Sequence, residues 1–101
     1  MSESLDTLQM ALLSVCRDTH EPLHALHVHA EDWLSRPLAS DEVEQAILAM
    51  ERAGLIAAYR RVASEWVVAS AGDAPQADLR FLATPAGADA TAAAWQLFFS
   101  E

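Results

Sequence analysis

The residue types with the most chemical potential are four histidines in one short stretch, His20, His24, His27 and His29, interleaved with Glu21, Glu31 and Asp32. On a helix, His24 and His27 stand three apart and His27 and Glu31 four apart, so these three side chains share a flank while His29 points elsewhere. Imidazole with carboxylate suits zinc, nickel or copper, and a site shared across a dimer would reach four ligands. However, the cluster has no second run of ligands to complete it, and His24 and His27 border Leu23 and Leu26, where an amphipathic ring sits with one edge buried. No cofactor and no metal is expected; His24, His27 and Glu31 are the candidate ligands if an ion is held. Four groups that titrate near neutrality in a carboxylate-rich chain also raise pH sensing.

Nucleophilic catalysis finds no framework. Cys16 falls on an apolar stripe, where a thiol behaves as a small hydrophobe. There is no Gly-rich phosphate loop, and Ser64, Ser70 and the scattered carboxylates form no nucleophile motif. The expectation is a chain that is not an enzyme.

Charge limits the partners. Fifteen Asp or Glu stand against six Arg and no Lys, for a formal charge of −9 with histidines neutral. A nucleic-acid binder gains most of its affinity by neutralising phosphate, so whole-surface binding to DNA or to an anionic membrane is disfavoured. At 101 residues and 52% apolar, the chain is expected to be one domain whose core needs no staple. The lone Cys16 forms no internal disulfide, and Met1-Ser2-Glu3-Ser4 lacks the basic start of a secretory signal, which together point to a reducing, cytoplasmic setting. No apolar run approaches the roughly 20 residues needed to span a bilayer.

The elements that must position these groups follow from periodicity. Leu5, Leu8, Leu12, Val15 and Cys16 recur at helical spacing behind Ser4 as N-cap, predicting a first helix over about 4–18. Pro22 suits a first helical turn, and Leu23, Leu26, Ala30, Trp33 and Leu34 form the inward face of a second helix, 22–35. Pro37 separates it from a third, 40–53, with Ser40 as cap, Val43, Ala46, Ile47, Met50 and Ala53 inward, and Gly54 as left-handed terminator. Runs rich in β-branched and aromatic residues, Leu55–Val62 and Glu65–Ala69, then Asp78–Ala83, predict strands within 55–83. Thr84-Pro85 starts a last helix, 84–99.

Two segments carry a family resemblance. The stretch from Ser40 to Ile56, a helix running into Gly54-Leu55-Ile56, and Arg80-Phe81-Leu82-Ala83-Thr84-Pro85-Ala86-Gly87, close to a "Leu-Thr-Pro-x-Gly" exit, together resemble bacterial winged-helix regulators of the phenolic-acid and multiple-antibiotic-resistance repressor types. The resemblance implies a mainly α fold with a small antiparallel sheet, a winged helix-turn-helix in the order ααα-ββ(β)-α, covering 1–101. It also implies a third helix that reads the major groove, a wing on the flanking backbone, and a dimer built through terminal helices.

The residues test that implication. Outward positions of the third helix are Asp41, Glu44, Gln45, Leu48 and Arg52, an acidic face in which Asp41, Glu42 and Glu44 complement the helix dipole. Candidate DNA contacts are Gln45, Leu48 and Arg52 near bases and Arg36, Arg60 and Arg61 on phosphate. Adjacent strand residues point to opposite faces, so Arg60 and Arg61 do not share a surface unless a bulge intervenes, and both have Glu51 and Glu65 near in sequence as offsets. Candidate interface residues are Met10 and Leu13, off the main stripe of the first helix, and Trp95, Phe98 and Phe99 at spacings of three and four. The expected function is a regulatory or interaction module, acidic, homodimeric and acting through protein contacts, with a basic protein as possible partner. The alternative is a DNA-binding transcription regulator. No membrane role is expected.

Overall fold

The computed structural model describes residues 5–70, 72 and 76–99, the side chains of residues 77 and 97–99 excepted. It is an α+β fold of four helices and a four-stranded antiparallel sheet: α1 (Thr7–Val15), β1 (Glu21–Pro22), α2 (Leu23–Leu34), α3 (Ser40–Arg52), β2 (Ile56–Val62), β3 (Glu65–Ala69), β4 (Leu79–Ala83) and α4 (Pro85–Phe99). A single 3₁₀ turn, Gln76–Asp78, leads into β4. The four expected helices and the strands expected within 55–83 are present, β1 between α1 and α2 is an addition to the expected order, and boundaries differ for identifiable reasons.

The predicted cap Ser4 lies outside the described residues, and α1 is instead capped by Asp6. Its carboxylate accepts from the Gln9 amide at 2.8 Å while the Gln9 side chain accepts from the Asp6 amide at 3.2 Å, a reciprocal capping box. The helix stops at Val15 rather than Asp18 because the Cys16 carbonyl is taken by the Ala83 amide of β4, at 3.0 Å. Pro22 is not inside α2: it is extended (φ −71°, ψ 160°), precedes the helix as its N-cap and pairs with Arg80 on the edge strand β1. An edge is where a residue without an amide hydrogen is tolerated. Ser40 is the first residue of α3 and makes no cap bond; Ala39 is the N-cap, and Asp41 and Glu42 in the first turn supply the favourable negative charge.

The C-terminus of α3 is a Schellman motif. Gly54 (φ +75°) donates to the Glu51 carbonyl at 3.0 Å and Leu55 to the Met50 carbonyl at 2.9 Å. This turn delivers the chain into β2, and β2 and β3 are joined by Ala63 and Ser64, both at positive φ (50° and 73°), as a two-residue turn with the twist of a hairpin requires. The sheet order is β1-β4-β2-β3. β3 and β4 are both antiparallel to β2, so they run parallel to each other and are joined by a crossover past β2.

The register sorts the strand residues onto two faces. Ile56 and Ala58 of β2 and Leu79, Phe81 and Ala83 of β4 face the helices and are buried with Leu12, Leu13, Leu26, Val43, Ile47 and Met50. At 0% exposure Phe81 is the largest side chain fully enclosed there. Two predicted inward residues are exposed, Ala53 and Trp33 (41%), the core behind α2 being closed by Leu26 and Ala30.

Gly87 sits where α4 crosses the Gly54-Leu55 turn, and a Cβ there would land inside the Leu55 carbonyl, a backbone group that cannot swing aside. Gly54 has open space around its own missing Cβ and needs glycine only for its positive φ. Gly87→Ala is therefore expected to cost about 3 kcal/mol and Gly54→Ala about 1 kcal/mol, as read by urea denaturation. Equal costs would mean that the crossing is not close.

Candidate interaction surfaces

The histidine stretch is divided among three places. His27 and Glu31, one turn apart on α2, both reach the turn before α3. The Leu38 carbonyl accepts from His27 Nε2 at 2.9 Å, and the Leu38 amide donates to Glu31 Oε2 at 2.8 Å. Because a carbonyl only accepts, His27 Nε2 carries the proton and has no lone pair for a metal. His24 is exposed, and His29 lines a groove on the far side of α2. Among the described residues no group of three or more His, Cys, Asp or Glu is placed to hold a metal ion. What His27 and Glu31 do is tie both polar groups of one backbone residue, and so fix the angle between α2 and α3.

Cys16 is enclosed, with its thiol donating to the Leu12 carbonyl at 3.3 Å. Burial pushes the thiol up to about 12, far from the reactive thiolate range.

The face of α3 divides along its length. Gln76 in the crossover lies against the helix, donating through Nε2 to the Glu44 carbonyl at 3.4 Å, and Ser70 donates to Glu51 at 3.4 Å. Glu44, Leu48 and Glu51 lie one above another on this flank, so Leu48, expected to point outward, is half-buried and packed against the core. The ridge left exposed is Asp41, Gln45, Ala49 and Arg52, which contains a single cation. Arg36 is exposed but engaged, donating to Glu42 at 3.1 Å, and this contact holds the Glu42 carboxyl below its usual range. Arg60 and Arg61 are both exposed near the β2–β3 turn on opposite faces of the sheet, as alternation requires, and neither makes an ion pair among the described residues.

The candidate interface changes character. Met10 and Leu13 are buried, at 4% and 0% exposure, because α1 lies between α2, α3 and α4 and is covered on both flanks. They offer no surface to a second molecule. Trp95 is half-buried and packs within the chain: its indole N–H donates to Ser14 of α1 at 3.2 Å, and its ring meets Trp33 edge-on at 5.1 Å. The side chains of Phe98 and Phe99 lie outside the described residues. Trp33 remains the exposed member of the pair, at the rim of an open groove of about 400 Å³ lined by Ala11, Ser14, Val15, Glu21, His29 and Asp32 besides.

Arg80 was given no role by the sequence, and His20, named there as a member of the histidine stretch, stands instead beside Arg80. Arg80 lies on the sheet face turned away from the helices, where its guanidinium sits 4.8 Å from the centroid of Trp66. It also contacts His20 Nδ1 at 3.4 Å, and the His20 ring stands 5.3 Å from Trp66 and 6.3 Å from Tyr59. A guanidinium only donates, so Nδ1 accepts. The signal available was the strand parity that places Tyr59, Arg61, Trp66 and Arg80 together, but it requires the register, which no single strand contains.

Two outcomes test these assignments. Glu31→Ala strands the Leu38 amide and is expected to cost about 1–2 kcal/mol in thermal or chemical unfolding; no loss would show that the α2–α3 angle is fixed by packing alone. Native Cys16 is expected to alkylate at pH 8 slower than a free thiol by about two orders of magnitude or more, and to react readily only after unfolding. Compared with models of protein families, with curated proteins and with solved structures, the chain matches none at a significant level.

Proposed function

We propose that the chain is a winged-helix module without catalytic activity that acts through contacts with protein, including a second copy of itself, rather than by reading DNA. The element order supports the fold reading: three helices, a strand between the first two that joins the sheet, a β-wing and a closing helix. The observation that carries the function is the state of α3. In a DNA-reading winged helix this element must present donors to base edges and cations to phosphate. Here its flank at Glu44 and Glu51 is engaged by the crossover, and the open ridge offers Arg52 as its only positive charge beside Asp41. Self-association is supported by Trp33, which keeps a large apolar ring in solvent beside Trp95. The acidic first turn of α3 suits a basic partner surface.

The alternative, a DNA-binding regulator, draws on Arg52, Arg60 and Arg61, whose guanidiniums are exposed and make no ion pair among the described residues. The two readings separate in a titration of mixed-sequence duplex DNA at low salt. No saturable binding is expected. Saturable binding that weakens steeply as salt rises would reveal phosphate neutralisation and reverse the choice. In sedimentation at micromolar concentration the chain is expected as a dimer that Trp33→Ala shifts toward monomer; a monomeric native chain removes self-association from the proposal.

A further inference from the structure

The solvent face of the sheet differs from the rest of the molecule in charge. The fifteen carboxylates outnumber the six arginines by more than two to one. Arg52, Arg60, Arg61 and Arg80 nevertheless make no ion pair among the described residues, and two of them, Arg61 and Arg80, share a face whose strand residues include no Asp or Glu. Tyr59 of β2 lies between Val68 of β3 and Arg80 of β4, and Arg61 pairs with Trp66 in the next row toward the hairpin turn. Arg80 reaches across β2 to the Trp66 ring, which together with His20 holds the guanidinium in place. A guanidinium fixed this way has lost its side-chain freedom before any ligand arrives, so less entropy opposes a carboxylate that binds it. Val68, 75% exposed, is the most exposed large hydrophobic residue described and stands on the same face.

We infer that this face docks a short acidic segment of a partner protein, its carboxylates held by Arg61 and Arg80 and an intervening apolar side chain set against Trp66 and Val68. Single-stranded nucleic acid is the competing occupant. Two guanidiniums neutralise about two phosphates, too few to offset repulsion from a body of charge −9. In addition, the Trp66 ring already carries Arg80, so it is not an open stacking platform for a base. A protein segment brings two or three carboxylates with apolar neighbours and little further negative charge. The site lies apart from α3 and stands or falls independently of the reading given above.

The test is selection from a random dodecamer peptide library displayed on phage, panned against the full chain. Enriched sequences are expected to carry Asp or Glu flanking an aliphatic or aromatic residue. A synthetic peptide of that consensus should shift the Trp66 indole N–H resonance, lose about tenfold or more in affinity with Arg61→Gln, and bind more tightly than a 12-nucleotide oligo(dT). Arg80→Gln should weaken it at least as much. Because Arg61 is exposed, Arg61→Gln remains decisive if Arg80→Gln fails to fold, with melting temperature as the control. Absence of enrichment, a basic or neutral consensus, affinity indifferent to Arg61→Gln, an unmoved Trp66 resonance, or tighter binding of oligo(dT) would each overturn the proposal.

Discussion

The fold depends on one crossing of backbone, where residues 83–87 pass over the ends of two helices. The Ala83 amide donates to Cys16 at the end of α1, and the Thr84 amide donates to Leu55 just beyond α3. Thr84 Oγ1 also donates to the Gly54 carbonyl at 2.6 Å while accepting from the Gly87 amide at 3.0 Å. The exits of α1 and α3 and the start of α4 are thereby joined through successive residues of one strand end. Each bond contributes about 1 kcal/mol net, but the closeness of the crossing matters more, because Gly87 lets the first turn of α4 lie directly on the Leu55 carbonyl. Gly54-Leu55 and Thr84–Gly87, which touch here, are the ends of the two segments, Ser40–Ile56 and Arg80–Gly87, noted for their resemblance to winged-helix regulators.

Fixing that crossing fixes the faces of the sheet. With Ala83 tied to α1 and Leu55 to Thr84, β4 must run beside β2 with Ile56 opposite Ala83. Phe81 and Leu79 then turn toward the helices, and Arg80 and Leu82 turn away. β3 cannot lie between β2 and β4, so it occupies the outer edge, and the chain must return past β2 to begin β4. The return places Ser70 and Gln76 along α3. The narrow ridge of α3 and the segregated face of the sheet are thus two results of one topological choice.

Local signals made most of this legible. Thr84-Pro85 and Gly54 mark their helix ends because a hydroxyl cap and a positive φ are properties of single residues, and the α3 stripe Val43, Ile47 and Met50 is buried as its period requires. The errors arose where a neighbour decides. Met10 and Leu13 form a second apolar flank that reads as spare surface until α4 is placed against α1. Leu48 points outward on an isolated helix and is half-buried against the core once the neighbouring elements are in place. His27 and Glu31 have ligand spacing, but their target is a backbone residue beyond the helix, Leu38, which side-chain spacing does not reveal. The Arg80, Trp66 and His20 cluster draws on three separate segments, so only the sheet register discloses it.

The same distinction applies to the charge. A net charge of −9 describes the field at a distance and sets which encounters are steered together or apart. Contact is decided within a few ångströms, where the relevant count is of neighbours rather than of the whole chain. On α3 the carboxylates are local and reinforce the bulk sign: Asp41 is open to solvent and Glu42 is held by Arg36. On the outer sheet face the strand residues invert it, with two guanidiniums and no acid. An anion of many charges meets the field first and is turned away, whereas a short acidic segment presents little charge for that field to repel and, at the inverted face, feels mainly the two arginines. The docking proposed for this face therefore selects acidic ligands by their length and total charge as much as by their sequence.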